Sequence, residues 1–177
     1  MQPSGAKRNP SVVSSESPAL QLAGFMDKYD PAVGKLARAT RSALRKRLPT
    51  AFELVYDNYQ FLALGFSPTE RASDCLVSLA ISPKGVALSF YHGASLPDPT
   101  GILLGDGKQN RFVRLDSAAT LSVPAVEALI CAAIAQSKVP LPSTGPGRTV
   151  IKSISAKQRP RRSTSNSPKK AAPRAQR

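Results

Sequence analysis

The last forty residues carry no carboxylate: from Lys138 to Arg177 there are 11 Lys and Arg and not one Asp or Glu. A run of like charges cannot neutralise itself, and it holds too few large apolar residues to offset the entropy of ordering. The fold is therefore expected upstream. From Ser17 to Ser137 there are 12 basic and 10 acidic residues, so the body is close to neutral and most of the net charge of +14 belongs to the C-terminal segment. The chain is expected to divide into a polar, unstructured start (1–16), one folded domain (17–137), a Pro/Gly linker (138–147) and a basic, largely disordered tail (148–177). Within that tail, Arg148-Thr-Val-Ile-Lys-Ser-Ile-Ser is rich enough in β-branched residues to add an edge strand or to fold on a partner, and both alternatives stay open.

The body changes period once. Ser17-Pro18 and Asp30-Pro31 are cap and first-turn pairs for two helices, the second with an apolar stripe of Val33, Leu36, Ala37, Thr40, Leu44 and Leu48. Lys35, Arg38, Arg45 and Lys46 fall on its opposite face, and Pro49 ends it. From Phe52 the alternation becomes twofold. Phe52, Leu54 and Tyr56 read as the inward face of a strand whose outward face carries Glu53, Val55 and Asp57. Tyr59–Phe66 reads as its partner, and Cys75–Ser82 with Val86–His92 as a hairpin around Pro83-Lys84-Gly85. A short strand at Phe112–Leu115 and a closing helix at Leu121–Ser137 follow. The expected class is α+β: a single antiparallel or mostly antiparallel sheet of about five strands with N-terminal and C-terminal helices packed on it.

The segment from Phe25 to about Gln136 resembles the YdhG-like family of domains of unknown function. The residues that carry the likeness are Phe-Tyr-His-Gly-Ala-Ser-Leu-Pro-Asp-Pro-Thr-Gly-Ile-Leu-Leu-Gly-Asp-Gly-Lys-Gln-Asn-Arg-Phe-Val-Arg-Leu, from Phe90 to Leu115, together with Ile151-Lys-Ser-Ile-Ser-Ala-Lys-Gln-Arg-Pro-Arg-Arg. The resemblance implies a small α+β domain with an antiparallel sheet. It also implies, for some relatives, a frataxin-like iron-chaperone role. Such a role needs converging oxygen or imidazole ligands, whereas the ten acids between Asp27 and Glu127 are scattered and His92 is the sole histidine. No metal site is expected.

Candidate chemistry concentrates in the loop from His92 to Arg111. It brings together His92, Asp98, Gly105, Gly107, Lys108 and Arg111, and the backbone amides around Gly105-Asp106-Gly107 suit an anion nest with Lys108 and Arg111 supplying charge. The bland reading is a turn capped by Asp98 and Asp106, with Arg111 paired to Asp98 or Asp116. Neither cysteine has a nucleophile's setting; both lie in apolar runs and are expected as buried, reduced thiols. The aromatics Phe52, Tyr56, Tyr59, Phe61, Phe90 and Tyr91 are expected in the core, because only Arg71 and Lys84 lie among them. The tail cations Arg148, Lys152, Lys157, Arg159, Arg161, Arg162, Lys169 and Lys170 suit weak, salt-sensitive association with nucleic acid or another polyanion. No signal peptide and no transmembrane run is read, so a cytoplasmic setting is the default. The expected function is a non-catalytic binding or interaction domain with no cofactor. The alternative is a small-anion or iron-binding protein or chaperone using the His92–Arg111 loop.

Overall fold

Two proline-initiated helices open the chain as described by a computed structural model, which covers residues 16–162. Helix α1 spans Pro18–Asp27, and its N-cap Ser17 accepts the Leu20 amide at 3.3 Å. Helix α2 spans Pro31–Arg47, with Pro31 following Asp30 into the first turn and Arg45, Lys46 and Arg47 in the last, where the carbonyl end of the dipole favours cations. Strands β1 (Phe52–Asp57), β2 (Leu62–Ser67), β3 (Val77–Ser82), β4 (Gly85–Phe90) and β5 (Arg111–Leu115) follow as an antiparallel meander. The β3–β4 turn is tight because Gly85 adopts φ +128°. Helix α3 spans Pro124–Ala135, and then the chain returns as a sixth strand, β6 (Thr149–Ile154), parallel to β1.

The sheet order is β5-β4-β3-β2-β1-β6. The class is therefore α+β, as expected, but with six strands rather than about five and a sheet that is mixed at one edge. The third helix precedes the last strand instead of closing the chain. All three helices share one face. Leu62, Leu64 and Phe66 of β2, Val77, Leu79 and Ile81 of β3, and Val86, Leu88 and Phe90 of β4 turn towards it. There they meet Leu22, Phe25 and Met26 of α1, Leu44 of α2, and Leu129 and Ile130 of α3. The 3.6- and 2-residue periods thus interlock in a single apolar layer.

Two expectations are overturned. Strand β1 is inverted: Glu53 and Asp57 are fully buried, while Phe52 and Tyr56 are half-buried on the other face. The carboxylates are tolerated inside because each is met by cations and donors from distant segments. Arg41 of α2 grips Glu53 through Nε and Nη2 at 2.6 and 2.8 Å, and the Thr149 hydroxyl of β6 donates to the same carboxylate at 2.7 Å. Lys28 Nζ reaches Asp57 Oδ2 at 2.7 Å, and Arg161 Nη2 reaches Oδ1 at 2.9 Å.

The second correction concerns the C-terminal segment, whose described part, 148–162, is joined to the body. Edge strand β6 is built, and Arg161 beyond it is buried, its side chain only 3% exposed. It lies over the Tyr29 ring at 5.5 Å and also donates to the Asn58 carbonyl. Residues 138–147, expected as a linker, run along the body. Leu141 packs on the core, and Gly147 donates to the Pro49 carbonyl at 2.8 Å. A Cβ at Gly147 would lie 2.0 Å from the Ala51 carbonyl oxygen, so only glycine fits there. Of the unstructured start expected over 1–16, residues 1–15 lie outside the described residues, as does the tail beyond Arg162.

Removing one member of a buried charge cluster leaves the others uncompensated, at a cost of about 3–5 kcal/mol. Asp57→Ala is expected to destabilise the protein by that amount in urea unfolding. Arg161→Ala, which leaves Lys28 on Asp57, is expected to cost less, and Lys28→Ala, at the more exposed partner, least. An Asp57→Ala variant as stable as the parent would contradict the assignment.

Candidate functional site

The His92–Arg111 loop is held by its own backbone. A single 3-10 turn, Gly93–Ser95, presses on the start of β5. An added Cβ at Gly93 would meet Arg111 Cβ at 2.6 Å, and the Ala94 amide donates to the Gln109 carbonyl at 2.8 Å. Asp98 accepts from the Leu103 and Ile102 amides at 2.8 and 3.1 Å, and the Leu103 N–H holds its carboxyl below the usual carboxylate range. Leu104 and Phe112 exchange amide–carbonyl bonds at 2.8 and 3.0 Å, which folds residues 104–112 into a small antiparallel return. Gly105, at φ +100°, makes its bend.

The Arg111 guanidinium turns back into this return and donates to the Gly107 and Asn110 carbonyls. It pairs with neither Asp98 nor Asp116, the two carboxylates the bland reading offered it, and Asp98 caps the amides of Ile102 and Leu103 rather than the Gly105–Gly107 turn which that reading assigned to it. Lys108 stands exposed on the same return. His92 goes elsewhere. Its ring makes an edge contact with Tyr91 at 4.8 Å and lines a cleft of about 430 Å³ with Asp74, Cys75, Ser95, Gln136 and Lys138. Neither Lys108 nor Arg111 lines that cleft. The six residues singled out from the sequence are thus neighbours along the chain divided between two surfaces.

The tail cations also divide. Arg148 pairs with Glu70 at 3.0 Å and covers the Phe52 ring at 5.3 Å. Arg159 covers the Tyr59 ring at 5.6 Å, and its amide donates to the Tyr59 carbonyl at 2.9 Å. Arg162 donates to the Asp27 carbonyl at 3.4 Å. Lys152 and Lys157 are exposed, and Arg161 is consumed internally by Asp57. Lys169 and Lys170 lie outside the described residues.

A larger concavity lies on the sheet face opposite the helices. It encloses about 610 Å³. Ala63, Ala80 and Ala87 stand side by side across β2, β3 and β4, in one row that begins at Tyr56 and ends at Arg114. The neighbouring row runs from Leu54 through Gly65, Ser78 and Ser89 to Phe112. Small side chains form the floor; Phe61 and Phe112 stand at opposite ends with Lys84, Arg114 and Asp116. The signal was present in the sequence: Leu-Ala-Leu-Gly-Phe-Ser, Val-Ser-Leu-Ala-Ile-Ser and Gly-Val-Ala-Leu-Ser-Phe alternate large apolar with small residues. The aromatic expectation is corrected with it. Of Phe52, Tyr56, Tyr59, Phe61, Phe90 and Tyr91, only Phe90 is buried. The cation in line with the row of alanines is Arg114 of β5, which follows Tyr91 by more than twenty positions in the sequence.

Both cysteines depart from the buried pair expected. Cys131 is exposed on α3 and Cys75 is half-buried, its sulfur so close to Gly65 that an added Cβ there would lie 2.7 Å from it. Burial pushes the Cys75 thiol up to about 11. Among the described residues, no three His, Cys, Asp or Glu side chains are placed to hold a metal ion, and no helix is long and apolar enough to cross a membrane. Comparison with family models, with curated proteins and with solved structures finds no match to this chain.

The thiolate is the nucleophile, so a raised thiol pKa keeps Cys75 protonated and unreactive until pH approaches 11. Iodoacetamide at pH 8 is expected to label Cys131 well before Cys75, by peptide mass spectrometry, with Cys75 gaining rate only towards pH 11. Faster labelling of Cys75 at pH 8 would contradict its placement.

Proposed function

We propose that this chain is a non-catalytic binding module for polyanions, nucleic acid foremost. The observation that supports the reading is the distribution of charge after internal pairing. Residues 16–162 hold 19 Lys and Arg against 11 Asp and Glu, a net of +8. Five of those carboxylates, Asp27, Glu53, Asp57, Glu70 and Glu127, are already engaged by cations of the body. The excess therefore remains on the surface, at Lys84, Lys108, Arg114, Lys152, Lys157 and Arg159 among others. Lys169 and Lys170 extend it along the chain. Each phosphate neutralised releases counterions, so such a surface binds with an affinity that falls steeply with salt. Membership of the YdhG-like family is part of the proposal and rests on the Phe90–Leu115 motif.

A second reading is small-ligand binding in the His92 cleft. Its volume, about 430 Å³, lies in the range of ligand pockets, and it sets an imidazole, a carboxylate, an amide and an ammonium around one space. A metabolite that raises the melting temperature of the parent, but not of His92→Ala or Lys138→Ala, would select this reading.

The polyanion reading is tested by fluorescence anisotropy with a labelled oligonucleotide across a salt series. A log–log slope of about −0.7 per phosphate contacted is expected for a single strand. Lys152→Gln with Lys157→Gln should make the slope shallower by about 1.4, and Lys169→Gln with Lys170→Gln by a similar amount. Absence of binding at about 50 mM salt, or binding indifferent to salt, would overturn it.

A further inference from the structure

We infer that the uncovered sheet face is a stacking platform for unpaired nucleobases, so that the polyanion served is single-stranded rather than duplex nucleic acid; this rests on the polyanion reading and names its substrate class. That face carries more small residues than the sheet's own stability calls for. Ala63, Ala80 and Ala87, with Gly65, Ser78 and Ser89 beside them, occupy the middle of a six-stranded sheet. Alanine, glycine and serine are weak strand formers, and a solvent-facing position there favours Thr, Val or Tyr. On the helix-facing side the same three strands carry Leu, Ile, Val and Phe throughout. Gly65 makes room for the Cys75 sulfur and Ser89 donates to Asn110, but Ala63, Ala80, Ala87 and Ser78 do little for the sheet except hollow its outer face. What they create is clearance: about 610 Å³ above a mostly apolar floor.

The ends of that hollow are chemically different from its floor. Phe61, 38% exposed, stands at the β1–β2 turn, and Phe112 stands on β5. Strands β2 and β5 are three steps apart in the sheet, about 14 Å at the usual spacing, and Phe112 is level with Gly65, four residues or about 13 Å along the strands from Phe61, so the two rings stand roughly 19 Å apart on a diagonal. That span suits two or three bases laid on the sheet between aromatic side chains, the arrangement by which sheet-based modules hold single strands. Tyr56 and Arg114 close the two ends of the alanine row, and both a phenol ring and a guanidinium plane stack on bases. Ser78 offers its hydroxyl and Asn110 its side-chain NH2 to base edges, while the buried Ser89 hydroxyl donates to Asn110 Oδ1 at 2.7 Å and holds that amide in place.

Charge assigns the phosphates. Lys84 and Arg114 line the hollow, but so does Asp116, which leaves it only weakly cationic. Its affinity must then come mainly from stacking, while the chain's wider cation excess takes the backbone. A duplex, whose bases are already stacked on each other, gains nothing from such a floor.

The test uses the full chain and three labelled probes of equal length: a single-stranded pyrimidine oligonucleotide, the same phosphodiester chain without bases, and the duplex. The single strand is expected to bind at least about tenfold more tightly than the abasic chain, and Phe61→Ala or Phe112→Ala to weaken it by roughly 5- to 100-fold while leaving abasic binding unchanged. Ala87→Leu, which fills the hollow without removing an aromatic, is expected to act like Phe112→Ala. Phe61 is exposed in a turn, so its replacement keeps the question answerable should a strand variant fail to fold. Equal binding of single-stranded and abasic probes would overturn the platform while leaving the polyanion reading intact. Failure of all three probes to bind would overturn both.

Discussion

One buried carboxylate joins three parts of the chain that are far apart in sequence. Asp57 ends β1, Lys28 follows α1, and Arg161 lies beyond the last strand; Asp57 is 1% exposed and both cations bond it. Burying a charge is unfavourable unless it is paired and hydrogen-bonded; Asp57 meets that condition from opposite directions at once, whereas Arg161 bonds through Nη2 alone and its buried Nε and Nη1 have no partner among the described residues. Tyr29 completes the floor beneath Arg161. Its hydroxyl donates to the Ile81 carbonyl at 2.9 Å and accepts the Leu62 amide at 3.0 Å, and burial pushes it up to about 12. Strand β1, the end of α1 and the C-terminal segment are therefore registered to one another by a polar contact that apolar packing alone would leave unspecified.

That contact is why the parts of the fold were unequally readable. Pro18 and Pro31 announced their helices because capping is local, and the β3–β4 hairpin announced itself because Gly85 and its flanking alternation are local too. Strand β1 showed an alternation whose sense was ambiguous. Glu53 and Asp57 face inward only because Arg41, Lys28, Thr149 and Arg161 come to meet them, and periodicity carries no information about partners a hundred residues away. The same blindness affected 148–162. Its β-branched run was visible, but a charge count alone could not show that β1 had acids waiting for it.

The candidate site was legible in a different way. The loop rich in Gly, Asp and Arg drew attention by composition, and its charged groups turn out to serve the loop itself: Asp98 caps amides, and Arg111 ties carbonyls. The hollow on the outer sheet face is made of residues that attract none. Alanines and serines in strands signal nothing singly. Only the register, which aligns Ala63, Ala80 and Ala87 in one row, turns them into a surface. A function spread over backbone pairing is written in the sheet topology rather than in a motif.

The C-terminal segment through Arg162 is part of the folded body. Native-state hydrogen exchange measures this directly, by comparing the amides of β6 that bond to β1 with those of β1 itself. Protection in residues 149–154 that rises with that of β1, and that falls in both strands together when Asp57 is replaced, is the result predicted. Exchange of 149–154 at the rate of an unstructured chain, with β1 fully protected, would contradict it.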